Sequence, residues 1–567
     1  MSLQFILGNS GSGKTEYMYK QVVLEAGENP TKDYLVIVPE QFTLQTQKKL
    51  VELSPNKAIM NIDVLSFNRL AYRVFDELGI VEKEILEETG KNLVLRKIAK
   101  EKEEELSVLR PNLNRMGYIN EVKSLISEFV QYNVTSNQLW GHIRSGKLPS
   151  VLEAKLKDVA VMYEGFEEYM QGRYVTAEEV LNVLTYVAKD SKIIRDSVMV
   201  FDEFTGFTPI QLSLIKELMP LTKKMIVTLT IDGKEDFYHS NGMHELFDMP
   251  KKTIKTLCQM ANFLHIDMLE PVVFADASKK RFVESSELAF MEENLFRRKI
   301  KAYDERTKDI SIYELKNPKE EMLYVAREIN RLVREEGYRY KEIAVVSGAV
   351  ETYGNYVKSI FGKYHIPYFL DQTKEVIFHP FIEFIRATLE IVTHDFSHES
   401  VFRFLRCGFV DIEEEDIDLL ENYILSTGIR GKRSWVSRFL RVPRNKSLLV
   451  GEKDLDFVEE LRKQIFDLLE PVVDTFSKGE EGNYATVLEQ CMSLYQMVVT
   501  LDVEQKLAKK EEEYLLQNEQ VKAKEYEQIY RIVIELLDKF VTLLGDERMD
   551  VESFSEVLDA GFEAANI

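Results

Sequence analysis

Gly8-Asn-Ser-Gly-Ser-Gly13-Lys14-Thr15 is the stretch whose reading decides the fold, because it matches GxxxxGK[ST] in full. The glycines let successive backbone N–H groups turn inward around phosphate oxygens. Lys14 neutralises the β- and γ-phosphates, Thr15 offers a hydroxyl to Mg²⁺, and the start of the following helix adds its dipole. Gly8, Asn9, Ser10, Gly11, Ser12, Gly13, Lys14 and Thr15 are therefore the candidate ATP-binding residues, with Thr15 also a candidate Mg²⁺ ligand. A chance match is the alternative. Against it stand the apolar strand Leu3–Leu7 before the loop and the helical composition of Thr15 to about Glu25 after it.

Working outward, further short apolar runs read as strands: Tyr34–Val38 ending at Pro39, Ile62–Leu65 ending at Ser66, Ser197–Phe201, and Met225–Ile231. Strands alternating with helices at this spacing indicate an α/β fold built on a parallel sheet. A phosphate loop needs an acidic strand end to hold Mg²⁺ and orient water, and Val198-Met-Val-Phe-Asp202-Glu203 supplies one. Asp202 is the candidate metal-holding carboxylate and Glu203 the candidate catalytic residue that activates the attacking water. The alternative is a solvated acidic turn.

From about residue 86 the pattern becomes helical; Val122, Leu125, Ile126, Phe129 and Val130 follow i, i+3, i+4, i+7, i+8. A second α/β unit is expected near Asp309, with strands at Ile310–Tyr313 and Glu342–Val346 and helices at Glu320–Glu335 and Tyr353–Phe361. After about 396 the chain is helical again. Ile529, Val533, Leu536, Leu537, Phe540 and Leu544 mark a buried helix face closed by Gly545, and Gly479–Asn483 reads as a loop. The expected organisation is a first P-loop domain from 1–85 plus 196–300, a helical insertion over 86–195, the start of a second such domain over 309–395, and a helical insertion over 396–567.

The 567 residues, 45% apolar and 30% charged, make an ordinary soluble composition with material for several cores, at roughly 100–200 residues per domain. No run approaches the ~20 apolar residues of a membrane span. The net charge of −22 argues against a generally basic nucleic-acid-coating protein, though not against a local positive groove. Cys258, Cys407 and Cys491 form no CxxC pair, so no zinc or iron–sulfur site is readable, and with no export signal a reducing cytoplasm is the expected compartment. His394 and His398 lie four apart and could share a metal; the alternative is a helix start capped by Asp395 or Ser397. Lys509–Glu519 reads as a solvated helix face or subunit contact.

Several segments resemble superfamily 1 DNA helicases of the UvrD and RecB type, in the right order: Val38-Pro-Glu-Gln41-Phe-Thr43, Leu65-Ser-Phe67-Asn-Arg69-Leu-Ala-Tyr72-Arg73, Phe201-Asp-Glu-Phe204-Thr-Gly-Phe207-Thr-Pro, and Gly337-Tyr-Arg-Tyr-Lys-Glu-Ile-Ala-Val-Val346. The combination resembles, more narrowly, the AddB family of bacterial AddAB helicase–exonucleases. That resemblance implies RecA-like parallel-sheet domains with large helical insertions, ATP and Mg²⁺ as cofactors, and an AddA-type helicase–nuclease partner in a heterodimer. It also implies action on double-stranded DNA ends and single-stranded DNA during break repair by homologous recombination, with recognition of the Chi hotspot. Gln41, Thr43, Phe67, Arg69, Tyr72 and Phe204 become candidate DNA contacts, since their motifs fall at the ends of parallel strands. Aromatics can stack on splayed bases and Arg can bond phosphate or guanine. The alternative places Phe67, Tyr72 and Phe204 in the core and Arg69 in a surface ion pair.

The departures from the helicase pattern shape the expectation further. Only seven residues precede Gly8, so no upstream glutamine motif is expected; no glutamine follows Asp232-Gly233; and no late segment supplies an arginine motif for the γ-phosphate. Nucleotide binding is thus better supported than autonomous translocation, although an ATP-driven helicase and a protein-contacting P-loop scaffold stay open. Family members run to about twice this length and end in a nuclease domain with a 4Fe-4S cluster. The chain therefore reads as an N-terminal fragment whose nuclease and cluster ligands lie beyond it, and Glu121-Val-Lys123 falls in a helical pattern rather than a nuclease strand.

Overall fold

In the computed structural model, the first strand, β1, spans Ser2–Gly8 and the first helix, α1, spans Lys14–Glu28. The structure describes residues 1–80, 84–112, 118–146, 148–171, 174–176, 179–275, 281–297, 301–370, 376–442, 455–477 and 484–565. There follow β2 (Tyr34–Ile37), α2 (Thr43–Leu53), β3 (Ile62–Leu65) and α3 (Phe67–Leu78). β4 (Glu84–Leu86) and β5 (Tyr174–Thr176) form a small separate sheet. β6 (Val198–Phe201), β7 (Lys224–Thr230), β8 (Asp267–Met268) and β9 (Val272–Phe274) return to the main sheet. Among the described residues its order is β3-β2-β6-β7-β1-β8, with β9 also beside β1, and the pairings are parallel.

The central strands β2 and β6 are apolar throughout and fully buried because both faces of the sheet are covered there. Leu7, Leu35, Ile37, Met199 and Phe201 belong to one core, while Ile6, Val36, Val198, Val200 and Ile226 belong to the other. This is period-two alternation with no polar face. Fully burying one such side chain is worth about 1.5–3 kcal/mol, so these two layers fix the sheet. Register then aligns the strand ends: Ile37 pairs with both Leu65 and Phe201, and Gly8 pairs with Thr230. The loops after β1, β2, β3 and β6 emerge along one edge, where open α/β sheets take their ligands.

The chain divides into two compact units, Met1–Ile85 with Leu125–Leu139 and Met170–Leu315, and Leu86–Ser124 with Trp140–Tyr169 and Lys316–Ile567. The second is helical. Helix Gln520–Leu544 buries Ile529, Val533, Leu536, Leu537, Phe540 and Leu544, the face its periodicity marks, in a core shared with Phe384, Phe404 and Phe554. Helices Pro318–Glu335 and Val350–Lys363 form where expected, the first capped by Asn317, whose Oδ1 accepts the Glu320 N–H at 3.0 Å. The two strands expected beside them do not form. Ile310–Tyr313 and Glu342–Val346 carry no β-ladder, and Ile312 (93% exposed) and Val346 (92%) stand in solvent. An apolar run becomes a strand only when another strand lies alongside, and neither segment has one among the described residues. Within the helical pattern that begins near residue 86, helix Glu88–Glu101 ends and a short 3₁₀ turn follows at Glu103–Glu105. The expected loop at Gly479–Asn483 lies outside the described residues. Among the described residues no helix is long and apolar enough to cross a membrane.

One buried carboxylate pins the helical unit locally. Asp158, in helix Ser150–Met170, is fully buried and accepts the backbone N–H groups of Ser107 (2.9 Å), Val108 (2.6 Å) and Leu109 (2.8 Å). Replacing it with alanine leaves these donors unpaired away from water, at a cost of about 3 kcal/mol or more. Asp158→Ala should lower the unfolding midpoint and accelerate hydrogen exchange at the 107–109 amides. Wild-type exchange at those amides would contradict the assignment.

Candidate functional site

Between β1 and α1 the chain turns through Gly11 at φ 76° and Gly13 at φ 94°, left-handed values that residues with a Cβ rarely adopt. A Cβ on Gly8 would lie 2.6 Å from Ser12 Oγ and 2.8 Å from Phe274 Cβ. The loop closes on itself and on α1: Ser12 N–H donates to Asn9 O at 3.3 Å and Tyr17 N–H donates to Gly13 O at 3.0 Å. Asn9 is buried and ties the loop to later chain. Its Oδ1 accepts the Gly233 N–H at 3.1 Å, and its Nδ2 donates to Glu292 Oε2 at 3.0 Å.

Lys14 opens α1 inside this cradle. Burial lowers its pKa, with Asp202 and then Glu203 pulling the other way, so the ammonium is short of compensating negative charge. Asp202 follows β6 and is buried; its Oδ1 takes the hydroxyls of Thr228 and, at 3.4 Å, Thr15. Its Oδ2 has no partner within 3.5 Å, although the Tyr19 hydroxyl lies close to the carboxylate, and the buried Ser12 Oγ has none. Buried polar atoms without partners are costly and uncommon. A Mg²⁺–nucleotide fits them: metal-bound water for Asp202 Oδ2, phosphate oxygen for Ser12 Oγ and the Lys14 ammonium. Among the described residues no group of three or more His, Cys, Asp or Glu could hold a metal. Mg²⁺ takes one or two protein ligands and completes its shell with phosphate and water, a set that the Thr15 hydroxyl and the Asp202 carboxylate could begin. Glu203 sits at φ 64° in the same turn. Its carboxyl is raised by lost solvation and then by the charge of Asp202.

The candidate DNA contacts scatter more. Phe67 is buried at the start of α3, in an aromatic group with Phe201, Phe204 and Phe207; its ring lies 5.5 Å from that of the half-buried Phe204. These two rings share a cavity of about 380 Å³ with Glu40, Asn68, Gln131 and Gln211. Arg69 is exposed, and its Nε lies 2.8 Å from Glu40 Oε1 at the same edge. Gln41, Thr43 and Tyr72 lie outside the cavity lining. Gln41 and Tyr72 are exposed, whereas Thr43 is buried with its hydroxyl donating to Glu40 O at 2.9 Å.

Sequence reasoning missed Glu292 and Arg281. Both reach the phosphate loop from more than 260 residues downstream: Glu292 bonds Asn9, and the Arg281 Cβ lies 2.7 Å from where a Gly11 Cβ would stand. Neither sits in a recognisable motif, so only the completed fold brings them into view. At the histidine pair, Ser397 caps helix His398–Arg406 by accepting the Ser400 N–H, and His398 Nε2 lies 3.4 Å from Glu421.

The family model described as ADDB, N-terminal, matches residues 5–292. The ATP-dependent helicase/deoxyribonuclease B subunit of Lachnoclostridium phytofermentans is 38% identical, covering 100% of this chain and 49% of that protein. The proteins of the same name from Caldanaerobacter subterraneus and Clostridium tetani are 34% and 32% identical, covering 100% and 99% of this chain and 48% and 49% of theirs. The chain thus spans about half the length of the curated relatives it matches.

The cradle geometry makes a sharp contrast between two glycines. Gly8→Ala should cost about 1–3 kcal/mol by overpacking and weaken Mg–ATP binding at least ~10-fold. Gly27→Ala, in α1 with nothing within 4 Å, should leave binding unchanged and stabilise by up to about 1 kcal/mol. Nucleotide titration and thermal unfolding of the pair check this, and wild-type binding by Gly8→Ala would refute the cradle.

Proposed function

The chain belongs to the AddB family, and from that membership we propose that it is the nucleotide- and DNA-holding part of an ATP-dependent helicase/deoxyribonuclease. The observation that carries the nucleotide reading is the grouping of an undercompensated Lys14 with two buried, unpartnered oxygens, Ser12 Oγ and Asp202 Oδ2. The loop Gly8–Gly13 and Lys14 hold the phosphates of ATP. Thr15 and Asp202 hold Mg²⁺, which neutralises phosphate charge. Glu203 orients water at the terminal phosphate, and lost solvation followed by the Asp202 charge raises its carboxyl.

For DNA, the cavity beside Phe67 and Phe204 favours a single strand over a duplex, since a lone base can enter it, meet an aromatic face and reach the amides of Asn68, Gln131 and Gln211. Arg69 would exchange Glu40 for a backbone phosphate. Base-edge contacts of this kind are what recognition of a short sequence such as Chi requires, with the exposed Gln41 contributing from the turn after β2 and Tyr72 from α3, while the buried Thr43 hydroxyl is engaged by Glu40 O. The burial of Phe67 and the Arg69–Glu40 pair favour a second reading in which this edge is structural and the chain is a nucleotide-bound scaffold. In the full-length protein, about twice this length in the relatives, an AddA-type partner supplies the pulling. The assembly then resects double-strand breaks for homologous recombination, and any 4Fe-4S cluster and nuclease centre belong to that longer protein.

Lys14→Ala should weaken Mg–ATP binding ~10–100-fold with the fold intact, because the ammonium makes its main contribution to the phosphates and not to the core. Direct titration showing wild-type affinity would mark the loop as vestigial. Phe204→Ala and Arg69→Ala should each reduce ultraviolet cross-linking of a single-stranded oligonucleotide at fixed salt, by an amount matching ~1–3 kcal/mol per lost contact. Absence of any wild-type cross-link in the assembled complex would select the scaffold.

A further inference from the structure

Helix Val487–Thr500, in the helical unit, is apolar on two faces, and one of them is left in solvent. Val487, Cys491, Leu494 and Val498 are buried in the unit's core. Leu488, Met492, Tyr495 and Val499 follow i, i+4, i+7 and i+11 and are exposed. That spacing makes one continuous stripe along the helix. A single exposed apolar side chain is ordinary, whereas a stripe of this kind marks a surface that something covers.

Beside the stripe lies a groove of about 790 Å³ against helix Leu455–Ser477. Met492, Gln496 and Thr500 line it from one helix, and Asp467, Pro471 and Thr475 from the other. Pro471 has no N–H to give, so the Asp467 carbonyl four residues back lacks its usual donor within the helix. The carboxylates of Asp467 and Glu470, one turn apart, have no hydrogen-bond or ion-pair partner among the described residues. Asp474, a further turn along, meets Lys432 at 3.7 Å. Arg548, a cation in the lining, is already engaged, its Nη1 donating to Tyr484 O at 2.5 Å. One wall therefore offers apolar surface, and the other offers acceptors and negative charge that suit ammonium or guanidinium donors. The same carboxylates repel phosphate, which disfavours nucleic acid and anionic lipid, and a second copy of a chain of net charge −22 would bring like charge to them.

We propose that this groove docks an amphipathic helix of a partner protein, with its apolar face on the Leu488–Val499 stripe and its Lys or Arg residues over Asp467 and Glu470. The 14-residue wall is roughly 21 Å long, room for about four helical turns. Methionine at the centre of the stripe adapts its shape to such a face, and alternating apolar anchors with flanking charge are how helices are held in grooves. The inference is independent of the nucleotide reading.

The test is fluorescence-anisotropy titration of the intact chain with a labelled synthetic helix of about 18 residues, leucine on one face and lysine on the other, and with its leucine–glutamate counterpart. The Leu–Lys helix should bind at least ~10-fold more tightly than the Leu–Glu helix. Met492→Glu should weaken the Leu–Lys helix ~10-fold or more, although it makes the chain more acidic, and Asp467→Lys should do the same. Leu516→Glu, at an exposed position on another helix, should leave binding unchanged. Thermal unfolding of all three variants should match wild type, since the side chains are exposed. Binding that Met492→Glu leaves intact or strengthens is attraction to net charge alone and would overturn the proposal, as would no binding of the Leu–Lys helix. A wild-type dimer in sedimentation that Met492→Glu dissolves would give the stripe to a second copy and overturn it too.

Discussion

The carboxylate of Asp202 is held at the end of a fully buried strand with one oxygen hydrogen-bonded and the other without a partner within 3.5 Å, and the proposed nucleotide site is arranged around that imbalance. Thr228 from the neighbouring strand and Thr15 from α1 both address Oδ1, while the Tyr19 hydroxyl lies close to the carboxylate without bonding Oδ2. A buried carboxylate oxygen without a donor costs on the order of 1–3 kcal/mol or more. The sheet bears that cost through two apolar layers packed on its faces. On the proposed reading the carboxylate is a preorganised receptor for positive charge, with Lys14 and Ser12 beside it as the receptor for negative charge.

The same register that places Asp202 aligns the loops after β2 and β3. The Phe67, Phe201, Phe204 and Phe207 rings bridge the turn after β6 to the start of α3, within 6.4 Å of one another. Glu203 and Phe204 are adjacent residues, one on the nucleotide side and one in the aromatic cavity. A strand bound in that cavity and a nucleotide bound in the cradle would therefore press on the two ends of one short turn, and the strained φ of Glu203 lies at its pivot.

What the sequence made legible was local. The glycine loop, its flanking strand and helix, and the Asp-Glu strand end follow from short motifs and apolar runs, and the helix face from Ile529 to Leu544 follows from its period. Strands were overread at Ile310–Tyr313 and Glu342–Val346 because an apolar run does not reveal whether a neighbour exists to pair with it. Glu292, Arg281 and the Gly233 amide escaped notice because their approach to the loop depends on chain reversal across hundreds of residues. The candidate DNA residues came from a family resemblance, and composition alone would not have told the buried Phe67 from the exposed Tyr72 on the same helix. The net charge of −22 likewise hid its own arrangement, since acidic residues are drawn into ion pairs such as Lys97–Glu547, Arg386–Asp559 and Arg403–Glu383 in the helical unit.

The central claim is that Asp202 and Thr15 form half of a metal site that only a nucleotide completes. Electron paramagnetic resonance of Mn²⁺, added as a stand-in for Mg²⁺ at stoichiometric protein, addresses it directly. The account predicts free-ion spectra with protein alone, an immobilised signal when ATP is added beyond that of Mn–ATP in solution, and loss of that signal in Asp202→Asn. Immobilised Mn²⁺ without nucleotide, or an ATP-dependent signal that survives Asp202→Asn, would contradict it.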